Sequence, residues 1–335
     1  MSKSQTNRTA KGEVFVTSRL PREALEILEK HATVRVNPHG DRIPPSILCR
    51  ELKNAVGVVC FLYDHIDRQV IDSAPELKVI ANVAVGFNNV DVEYAASRGV
   101  WVTNTPGVLT DATADATMTL LLATARHVVA ADRYVRKGKF KRWEFNLFPG
   151  ADLHGRKLGI VGMGVIGQAV ARRAQGFGLQ LLYSDVKRID SAIEKALGAR
   201  FVTLTQLLQQ ADFISLHVPL NESTFHLLGA TEFQLIKRGA ILINTSRGPV
   251  IHEKELVDAL SAGRLSGAGL DVYEYEPNVE KELLDMDNVV LLPHIASSTM
   301  ETRLNMSLLA ARNAAAVLQG KRPPNAVNEP SKKSR

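Results

Sequence analysis

Two series of short apolar runs, rich in β-branched residues, alternate with amphipathic segments along the chain. The first series lies between Glu13 and Asn104 and reads "EVFVT", "TVRV", "GVVCFL", "LKVIAN" and "GVWVTN". The second lies between Lys157 and Pro293 and reads "KLGIVG", "QLLYSD", "ARFVT", "DFISLHV", "AILINT", "GAGLDVY" and "NVVLLP". Most intervening segments, such as "PREALEILEK", carry apolar residues at helical spacing. This alternation predicts two doubly wound parallel sheets, and therefore an α/β protein.

Two longer helical patterns flank the second series. Residues 109–138 predict one long helix with Thr110 or Asp111 as its N-cap, and its alanine-rich face favours close packing against another helix. We expect this helix to bridge two domains and to contact a second subunit; an ordinary core helix is the alternative. The terminal helix, at about 298–319, is expected to return to the first domain.

Length and composition are those of a two-domain globular protein, with 45% hydrophobic and 23% charged residues among 335. No apolar stretch reaches the roughly 20 residues that a membrane span needs, and the N-terminus lacks the apolar centre of a signal peptide. The two cysteines, Cys49 and Cys60, form neither a metal-binding nor a disulfide pattern. We therefore expect a cytoplasmic protein without a metal site or a membrane partner.

The net charge of +6 is concentrated at the two ends of the chain. Residues 1–11 carry +3 and residues 321–335 carry +4, so the residues between them are close to neutral. A basic face for nucleic acid is therefore not expected.

A glycine pattern follows the first apolar run of the second series. The stretch "GIVGMGVIGQAVARR" contains Gly162-x-Gly164-x-x-Gly167 between a predicted strand and a predicted helix. In this context the glycines allow a tight turn and let a pyrophosphate approach the N–H groups at the helix N-terminus. Asp185 ends the next predicted strand, where a carboxylate accepts from the ribose hydroxyls and repels a 2′-phosphate. The pattern predicts NAD as the cofactor, with NADP as the alternative because Lys187 and Arg188 are close by.

Other chemistry-bearing side chains also follow predicted strands, namely Arg247, Asp271 and His294. Because the carboxyl ends of parallel strands meet at the ligand-binding edge of such sheets, we expect these side chains to converge. An arginine can hold a carboxylate, and a histidine can protonate the alkoxide that forms when a 2-oxo acid is reduced. A carboxylate beside the histidine would raise its pKa. Position alone does not decide between His294 and His217 as the proton donor. It also does not decide between Glu276 and Glu274 as the carboxylate beside that histidine.

Four motifs together resemble the D-isomer-specific 2-hydroxyacid dehydrogenases: the glycine pattern, "NTSRGPVI", "GAGLDVYEYEP" and "LLPHIASST". The resemblance extends from about Val14 to Asn328, and residues 83–126 are similar to glyoxylate/hydroxypyruvate reductases. It implies a flavodoxin-like substrate domain and a Rossmann dinucleotide-binding domain with a cleft between them. We expect a disordered tail at 1–12, the substrate domain at 13–104 plus 298–328, the Rossmann domain at 105–297, and a tail at 329–335.

The resemblance also implies roles for the matching residues. Arg247 would bind substrate, His294 would donate the proton and Glu276 would be its partner. The backbone N–H groups of Val85 and Gly86 would bind the substrate carboxylate. The cofactor-binding set would comprise Thr113, Gly162, Met163, Gly164, Val165, Ile166, Gly167, Asp185, His217, Val218, Pro219, Thr224, Thr245, Ser246, Asp271 and Ala296.

The expected activity is NAD(P)H-dependent reduction of small 2-oxo acids, such as glyoxylate and hydroxypyruvate, to (R)-2-hydroxy acids. The expected assembly is a homodimer formed through the 105–150 region. Two alternatives remain open: a phosphite dehydrogenase-like oxidoreductase, which "RHVVAADRYVRKGKFKRW" also resembles, and an NAD-responsive, corepressor-like binding protein.

Overall fold

The computed structural model describes residues 12–38 and 42–331. The described chain forms two compact units, one made of the residues up to Leu109 and from Thr299 onward, the other of Thr110–Ser298. Most of the two predicted tails, 1–12 and 329–335, lies outside the described residues. Within the described ranges, no helix has the length and apolar character needed to span a bilayer.

The first unit contains a five-stranded, entirely parallel sheet with the strand order β2-β1-β3-β4-β5. Its strands are β1 (Glu13–Val16), β2 (Thr33–Val36), β3 (Ala55–Cys60), β4 (Val79–Asn82) and β5 (Trp101–Thr103). The helices between them are α1 (Arg22–Glu29), α2 (Pro45–Leu52), α3 (Arg68–Asp72) and α4 (Val92–Ser97). All five strands coincide with the apolar runs of the first series.

The second unit contains a seven-stranded parallel sheet with the order β12-β11-β10-β9-β6-β7-β8. Its strands are β6 (Lys157–Val161), β7 (Gln180–Ser184), β8 (Ala199–Phe201), β9 (Phe213–Leu216), β10 (Ala240–Asn244), β11 (Leu265–Leu270) and β12 (Val289–Leu291). Its helices are α5 (Thr110–Ala125), α6 (Val128–Arg136), α7 (Val165–Gln175), α8 (Ser191–Leu197), α9 (Leu204–Gln210), α10 (Ala230–Leu235), α11 (Glu253–Ser261) and α12 (Lys281–Asp285), and Gly248–Val250 forms a 3₁₀ turn. The prediction of two doubly wound parallel sheets is confirmed.

The central strands of both sheets are buried on both faces, which explains why their sequences are almost continuously apolar. Every residue of β4, β9 and β10 is buried. The strand order of the second sheet reverses between β6 and β9, which is the point where ligands bind in doubly wound folds.

The single long helix predicted over 109–138 is wrong, because the chain forms α5 and α6 with a break between them. His127 adopts a left-handed backbone conformation (φ 52°), which a right-handed helix cannot continue through. The carbonyl of Ala125 accepts from Ala151 N–H (2.8 Å) instead of serving a continuing helix. The predicted N-cap is also wrong, because α5 begins at Thr110 itself.

The last described residues belong to the first unit. The last helix, α13 (Met300–Leu318), packs against α1, β3 and β4. Beyond it, Val327 N–H donates to Val102 O (2.8 Å), and Val102 N–H donates to the Asn328 side chain (2.8 Å). This segment covers the free edge of β5, so that the strand is not left unpaired.

Candidate active site

The glycine-rich turn joins β6 to α7, and its three glycines lack a side chain for two different reasons. A Cβ on Gly162 (φ 94°) would lie 2.8 Å from the carbonyl group of His217, and one on Gly167 would lie 2.2 Å from Gly162 O. These two glycines therefore permit close packing within the protein. A Cβ on Gly164 would meet nothing within 4 Å, so the space in front of it is open.

Gly164 is also the N-cap of α7 and supplies no side chain to the N–H groups of the first helical turn. Those groups, from Val165 to Gly167, face a site where a ligand anion can bind close to the backbone.

Asp185 follows β7 and is half-buried. Its Oδ2 accepts from Met163 N–H (2.7 Å) and its Oδ1 accepts from Lys187 N–H (3.3 Å). Asp185 thus lies against the glycine-rich turn, as a ribose-binding carboxylate must. The neighbouring cation Arg188 is ion-paired with Glu194 (2.8 Å).

His217 follows β9 at the strand-order reversal. Its Nε2 lies 2.8 Å from Ser215 Oγ, and burial lowers its pKa to about 4. The imidazole is therefore neutral near pH 7, which does not suit a proton donor. In the loop that follows, the Thr224 hydroxyl donates to Pro219 O (2.6 Å) and accepts from Asn221 N–H (2.9 Å), which fixes the course of Val218 and Pro219.

Asn244, the last residue of β10, holds the loop that delivers Arg247. Its Oδ1 accepts from the N–H (3.0 Å) and Oγ (2.8 Å) of Ser246, and its Nδ2 donates to Arg247 O (2.9 Å). Thr245 Oγ1 lies 2.8 Å from Thr117 Oγ1 of α5, whose hydroxyl also lies 2.8 Å from Thr113 O. Two of the three threonines of the predicted cofactor set, Thr113 and Thr245, are therefore linked through Thr117.

Arg247 is half-buried and donates from Nη1 to Ser246 O (2.7 Å). Burial lowers its pKa, and the nearby negative charge of Glu276 offsets part of that shift. Its neighbour Gly248 lies so close to the next segment that a Cβ would be 1.8 Å from Tyr273 O. The arginine and the segment that carries Glu276 are therefore packed together.

Glu276 and His294 form a hydrogen-bonded pair, with His294 Nδ1 2.8 Å from Glu276 Oε2. Glu276 Oε1 accepts from Tyr273 N–H (3.0 Å). Burial alone would raise the pKa of Glu276, but the hydrogen bond and charge of His294, the Tyr273 N–H and the charge of Arg247 together outweigh burial, and the net shift is downward. Because Nδ1 faces the carboxylate, the other ring nitrogen, Nε2, lies on the far side of the imidazole from it.

The backbone at His294 is held by Asp271, which is completely buried at the end of β11. His294 N–H donates to Asp271 O (2.9 Å), and the two carboxylate oxygens of Asp271 accept from Ile295 N–H (2.7 Å) and Ala296 N–H (2.8 Å). Burial raises the pKa of Asp271. These contacts fix His294 in a left-handed conformation (φ 54°).

The alternative carboxylate, Glu274, binds a different histidine. Its Oε1 lies 2.7 Å from His226 Nε2, and its Oε2 accepts from Glu253 N–H (2.9 Å). The ring of His226 stacks on Phe225 at 3.9 Å between centroids. The ambiguity between Glu274 and Glu276 thus has a structural answer, since each has its own imidazole.

Val85 and Gly86 lie in the first unit, on the loop after β4. Three successive carbonyls of this loop accept hydrogen bonds: Ala84 O from Thr105 N–H (2.8 Å), Val85 O from Asn104 Nδ2 (2.8 Å) and Gly86 O from Asn82 Nδ2 (2.9 Å). Within residues 12–38 and 42–331, nothing accepts from the N–H of Val85 or Gly86. The loop therefore presents two amide donors, which suits an anion.

Sequence reasoning missed several residues that hold these loops in place. Asn82 and Asn244 each end a buried strand, so the rule that singled out Arg247 and His294 could have found them as well. Thr117, His226 and Glu253 carry no such signal, because their partners are far away in the chain.

The geometry around the glycine-rich turn fits a dinucleotide. The open space at Gly164 and the uncapped first turn of α7 suit a pyrophosphate, and Asp185 suits the adenosine ribose. Among the predicted residues, those of the second unit cluster at the carboxyl edge of its sheet.

Comparison with known proteins places the chain among dehydrogenases. Residues 118–296 match the family described as "D-isomer specific 2-hydroxyacid dehydrogenase, NAD binding domain". The chain is 48% identical over 324 residues to a glyoxylate reductase of Korarchaeum cryptofilum. The aligned residues cover 95% of this chain and 96% of that protein. The chain is 47% identical over 320 residues to a glyoxylate reductase of Thermococcus kodakarensis, with 94% and 96% covered.

A solved structure from Sinorhizobium meliloti is also similar. It is an NADPH-dependent glyoxylate/hydroxypyruvate reductase in complex with NADP and malonate, with a TM-score of 0.87 and 33% identity over 97% of this chain and 99% of that one. The expected family and the NAD(P) cofactor are confirmed. The chain belongs to the D-isomer specific 2-hydroxyacid dehydrogenases and is an NAD(P)-dependent oxidoreductase.

Proposed function

We propose that the protein reduces glyoxylate and hydroxypyruvate to the corresponding 2-hydroxy acids, with (R) configuration where the product is chiral. The names of its relatives support this substrate class. The observation that carries the proposal is the orientation of His294, which faces Glu276 through Nδ1 at 2.8 Å and so keeps Nε2 for a substrate.

His294 would donate a proton from Nε2 to the oxygen of the substrate carbonyl as that oxygen gains negative charge. Glu276 would fix the ring and stabilise the protonated imidazole, because a carboxylate at 2.8 Å favours the cation. Asp271 would act as a positioning residue through its bonds to the backbone of residues 295 and 296.

Arg247 would bind the substrate carboxylate and polarise the carbonyl, since a guanidinium donates two parallel hydrogen bonds to a planar anion. The amides of Val85 and Gly86 would also donate to that carboxylate. When bound, the nicotinamide supplies the hydride for the carbonyl carbon. The first turn of α7 would bind its pyrophosphate, and Asp185 the adenosine ribose.

We propose NADH as the preferred reductant. Asp185 would repel the 2′-phosphate of NADPH, and the guanidinium of Arg188, which could otherwise bind that phosphate, is engaged by Glu194. The similar reductase from Sinorhizobium meliloti is, by contrast, NADPH-dependent.

The test is an absorbance assay at 340 nm with NADH and NADPH, each against glyoxylate, hydroxypyruvate, 2-ketogluconate, phenylpyruvate and pyruvate. We expect glyoxylate and hydroxypyruvate to give the highest kcat/KM, and Asp185→Ala to raise the NADPH/NADH ratio of kcat/KM. Phosphite with NAD⁺ is the control for the rival oxidoreductase. Binding of NADH without oxidation by any 2-oxo acid would overturn the proposal in favour of a binding protein.

We further propose a homodimer formed through the 105–150 region. The residues Val135, Phe140, Trp143 and Phe145 are 57%, 53%, 75% and 84% exposed there, and the rings of Trp143 and Phe145 are in contact. Exposed apolar residues in one region are found at subunit contacts. Sedimentation should give a dimer mass, and Trp143→Glu with Phe145→Glu should give a monomer, whereas Phe225→Glu, at another exposed position, should not. A monomeric wild-type protein would contradict this assembly.

A further inference from the structure

The segment from Tyr273 to Glu280 carries Glu276, and it is bound at two points by one buried carboxylate. Glu253 is the first residue of α11 and is 4% exposed. Its Oε2 accepts from Glu274 N–H (2.7 Å), and its Oε1 accepts from Glu280 N–H (2.9 Å). The two points of attachment are six residues apart, with Glu276 between them.

Burying the carboxylate of Glu253 has a free-energy cost. Burial raises the pKa of Glu253, and the two N–H donors offset only part of the effect, with the charges of Glu280 and Glu274 adding to it. A position in the first turn of a helix favours a carboxylate because the helix N-terminus is partially positive. Because both carboxylate oxygens of Glu253 accept a backbone N–H, an amide side chain cannot replace the carboxylate. The NH₂ group of a glutamine would face one of these N–H groups.

The segment that Glu253 holds has little other regular structure. Asn278 N–H donates to Tyr275 O (2.8 Å), and Glu276 Oε1 accepts from Tyr273 N–H, so both bonds lie within the segment itself. Glu253 ties the segment to α11, which begins three residues after the Gly248–Val250 turn that follows Arg247. The distance between Glu276 and His294 thus depends on where α11 holds the backbone on either side of Glu276.

We propose that Glu253 is a positioning residue for the proton donor: by bridging the backbone of Glu274 and Glu280, it holds Glu276 at hydrogen-bond distance from His294. The inference rests on the proposed roles of Glu276 and His294. It adds to them a carboxylate that touches neither the substrate nor the imidazole and acts through the main chain alone.

The test compares Glu253→Gln with Asp258→Asn, a matched carboxylate-to-amide change at an exposed position of the same helix. Steady-state kinetics over a pH series should show that Glu253→Gln lowers kcat at least about tenfold, the equivalent of one lost charge-assisted hydrogen bond. The KM for NADH should stay constant. The pH above which kcat/KM falls should move downward by at least ~0.5, because a displaced Glu276 stabilises the protonated imidazole less well. Asp258→Asn should behave as wild type.

A second variant guards against misfolding of Glu253→Gln. Glu280→Pro removes the N–H that donates to Glu253 Oε1 together with the Glu280 carboxylate, and the φ of −55° at this position is one that proline adopts. It should give a change in the same direction and of smaller size.

An NMR titration of the His294 ring, assigned by its loss in His294→Asn, separates this inference from the proposed function. If wild type reduces no 2-oxo acid, the proposed function fails, and a downward shift of the His294 titration in Glu253→Gln still supports the positioning role. If both Glu253→Gln and Glu280→Pro fold and match Asp258→Asn in kcat, pH profile and His294 titration, the positioning role is wrong.

Discussion

Two histidine–glutamate pairs in this protein have nearly the same geometry and differ in what they leave available. His294 lies 2.8 Å from Glu276 and His226 lies 2.7 Å from Glu274, and the two glutamates are two residues apart. Both histidines are in the left-handed region, with φ 54° and 49°. Each glutamate takes one imidazole nitrogen and one backbone N–H, so neither distance nor backbone separates the pairs.

The difference lies in which ring nitrogen meets the carboxylate. His226 contacts its carboxylate through Nε2, the nitrogen far from its own backbone. Its ring stacks on Phe225, and the centroid of the His252 ring lies 4.6 Å from its own. His294 uses Nδ1 and so keeps Nε2, at the far end of the ring, for another partner. Only Glu276 has Arg247 among the charges that lower its pKa. Whether such a pair is a structural contact or part of a reactive site thus depends on which ring nitrogen the carboxylate leaves available.

The largest expected effect comes from replacing the two histidines in the same way. Asparagine tolerates a left-handed backbone, so His294→Asn and His226→Asn are matched changes. His294→Asn should lower kcat by about 10²–10⁴-fold, the range that a positioned general acid contributes, while NADH binding persists. His226→Asn should keep most of its turnover. Steady-state kinetics with glyoxylate measures both, and equal losses would show that the pairs do not differ in role.

A smaller effect is expected from the two glutamates. Glu276→Gln removes the charge that stabilises the protonated imidazole, so kcat should fall about 10- to 150-fold, which corresponds to ~1.5–3 kcal/mol for a charge-assisted hydrogen bond. Glu274→Gln should instead lower the free energy of unfolding, measured in urea, with a much smaller change in kcat. A larger kinetic loss from Glu274→Gln than from Glu276→Gln would reverse the assignment of the two pairs.

The smallest expected effect concerns a third histidine, His217, which differs from both pairs because its ring partner is the Ser215 hydroxyl and no carboxylate of the described residues binds it. Its pKa is about 4 in the folded protein and about 6.5 when unfolded, so the unfolded state binds the proton first as pH falls. The contribution of His217 to the free energy of unfolding is therefore complete above pH 6.5 and is lost as the pH falls from 6.5 to 4. From pH 7 to 5 the loss should be about 1–2 kcal/mol.

Urea unfolding of wild type and His217→Asn at pH 7 and pH 5 checks this expectation. The variant should lose less stability over that interval than wild type does. An identical loss in both proteins would mean that His217 titrates normally and is not a buried neutral imidazole.

The sequence was sufficient to predict the strands and the residues at their ends, because burial on both faces leaves an unmistakable apolar run. It was insufficient where a long-range contact decides the outcome. The stretch around His127 reads as helical, and the helix ends because of the left-handed backbone of His127 and the hydrogen bond from Ala151 to Ala125, neither of which the sequence shows. Glu253 resembles any acidic residue in a first helical turn, because its partners are 21 and 27 positions away.

The choice between Glu274 and Glu276 illustrates the same limit at the site itself. Both glutamates lie beside a tyrosine in "YEYEP", and each pairs with a histidine in the folded protein. Residue type and spacing therefore do not distinguish the two glutamates. Only the packing of Gly248 against Tyr273 and of Phe225 against His226 gives each carboxylate its own imidazole.

The return of α13 to the first unit has a consequence for how the protein forms on the ribosome. The polypeptide for Thr110–Ser298 is complete before α13 has been synthesised, so the second sheet can fold while the first still lacks a helix that covers β3 and β4. The N-terminal strands, although made first, are thus the last to be fully enclosed. Asn104, whose side chain donates to Val85 O, gains its own partners Asn313 and Asn325 only after α13 has been synthesised.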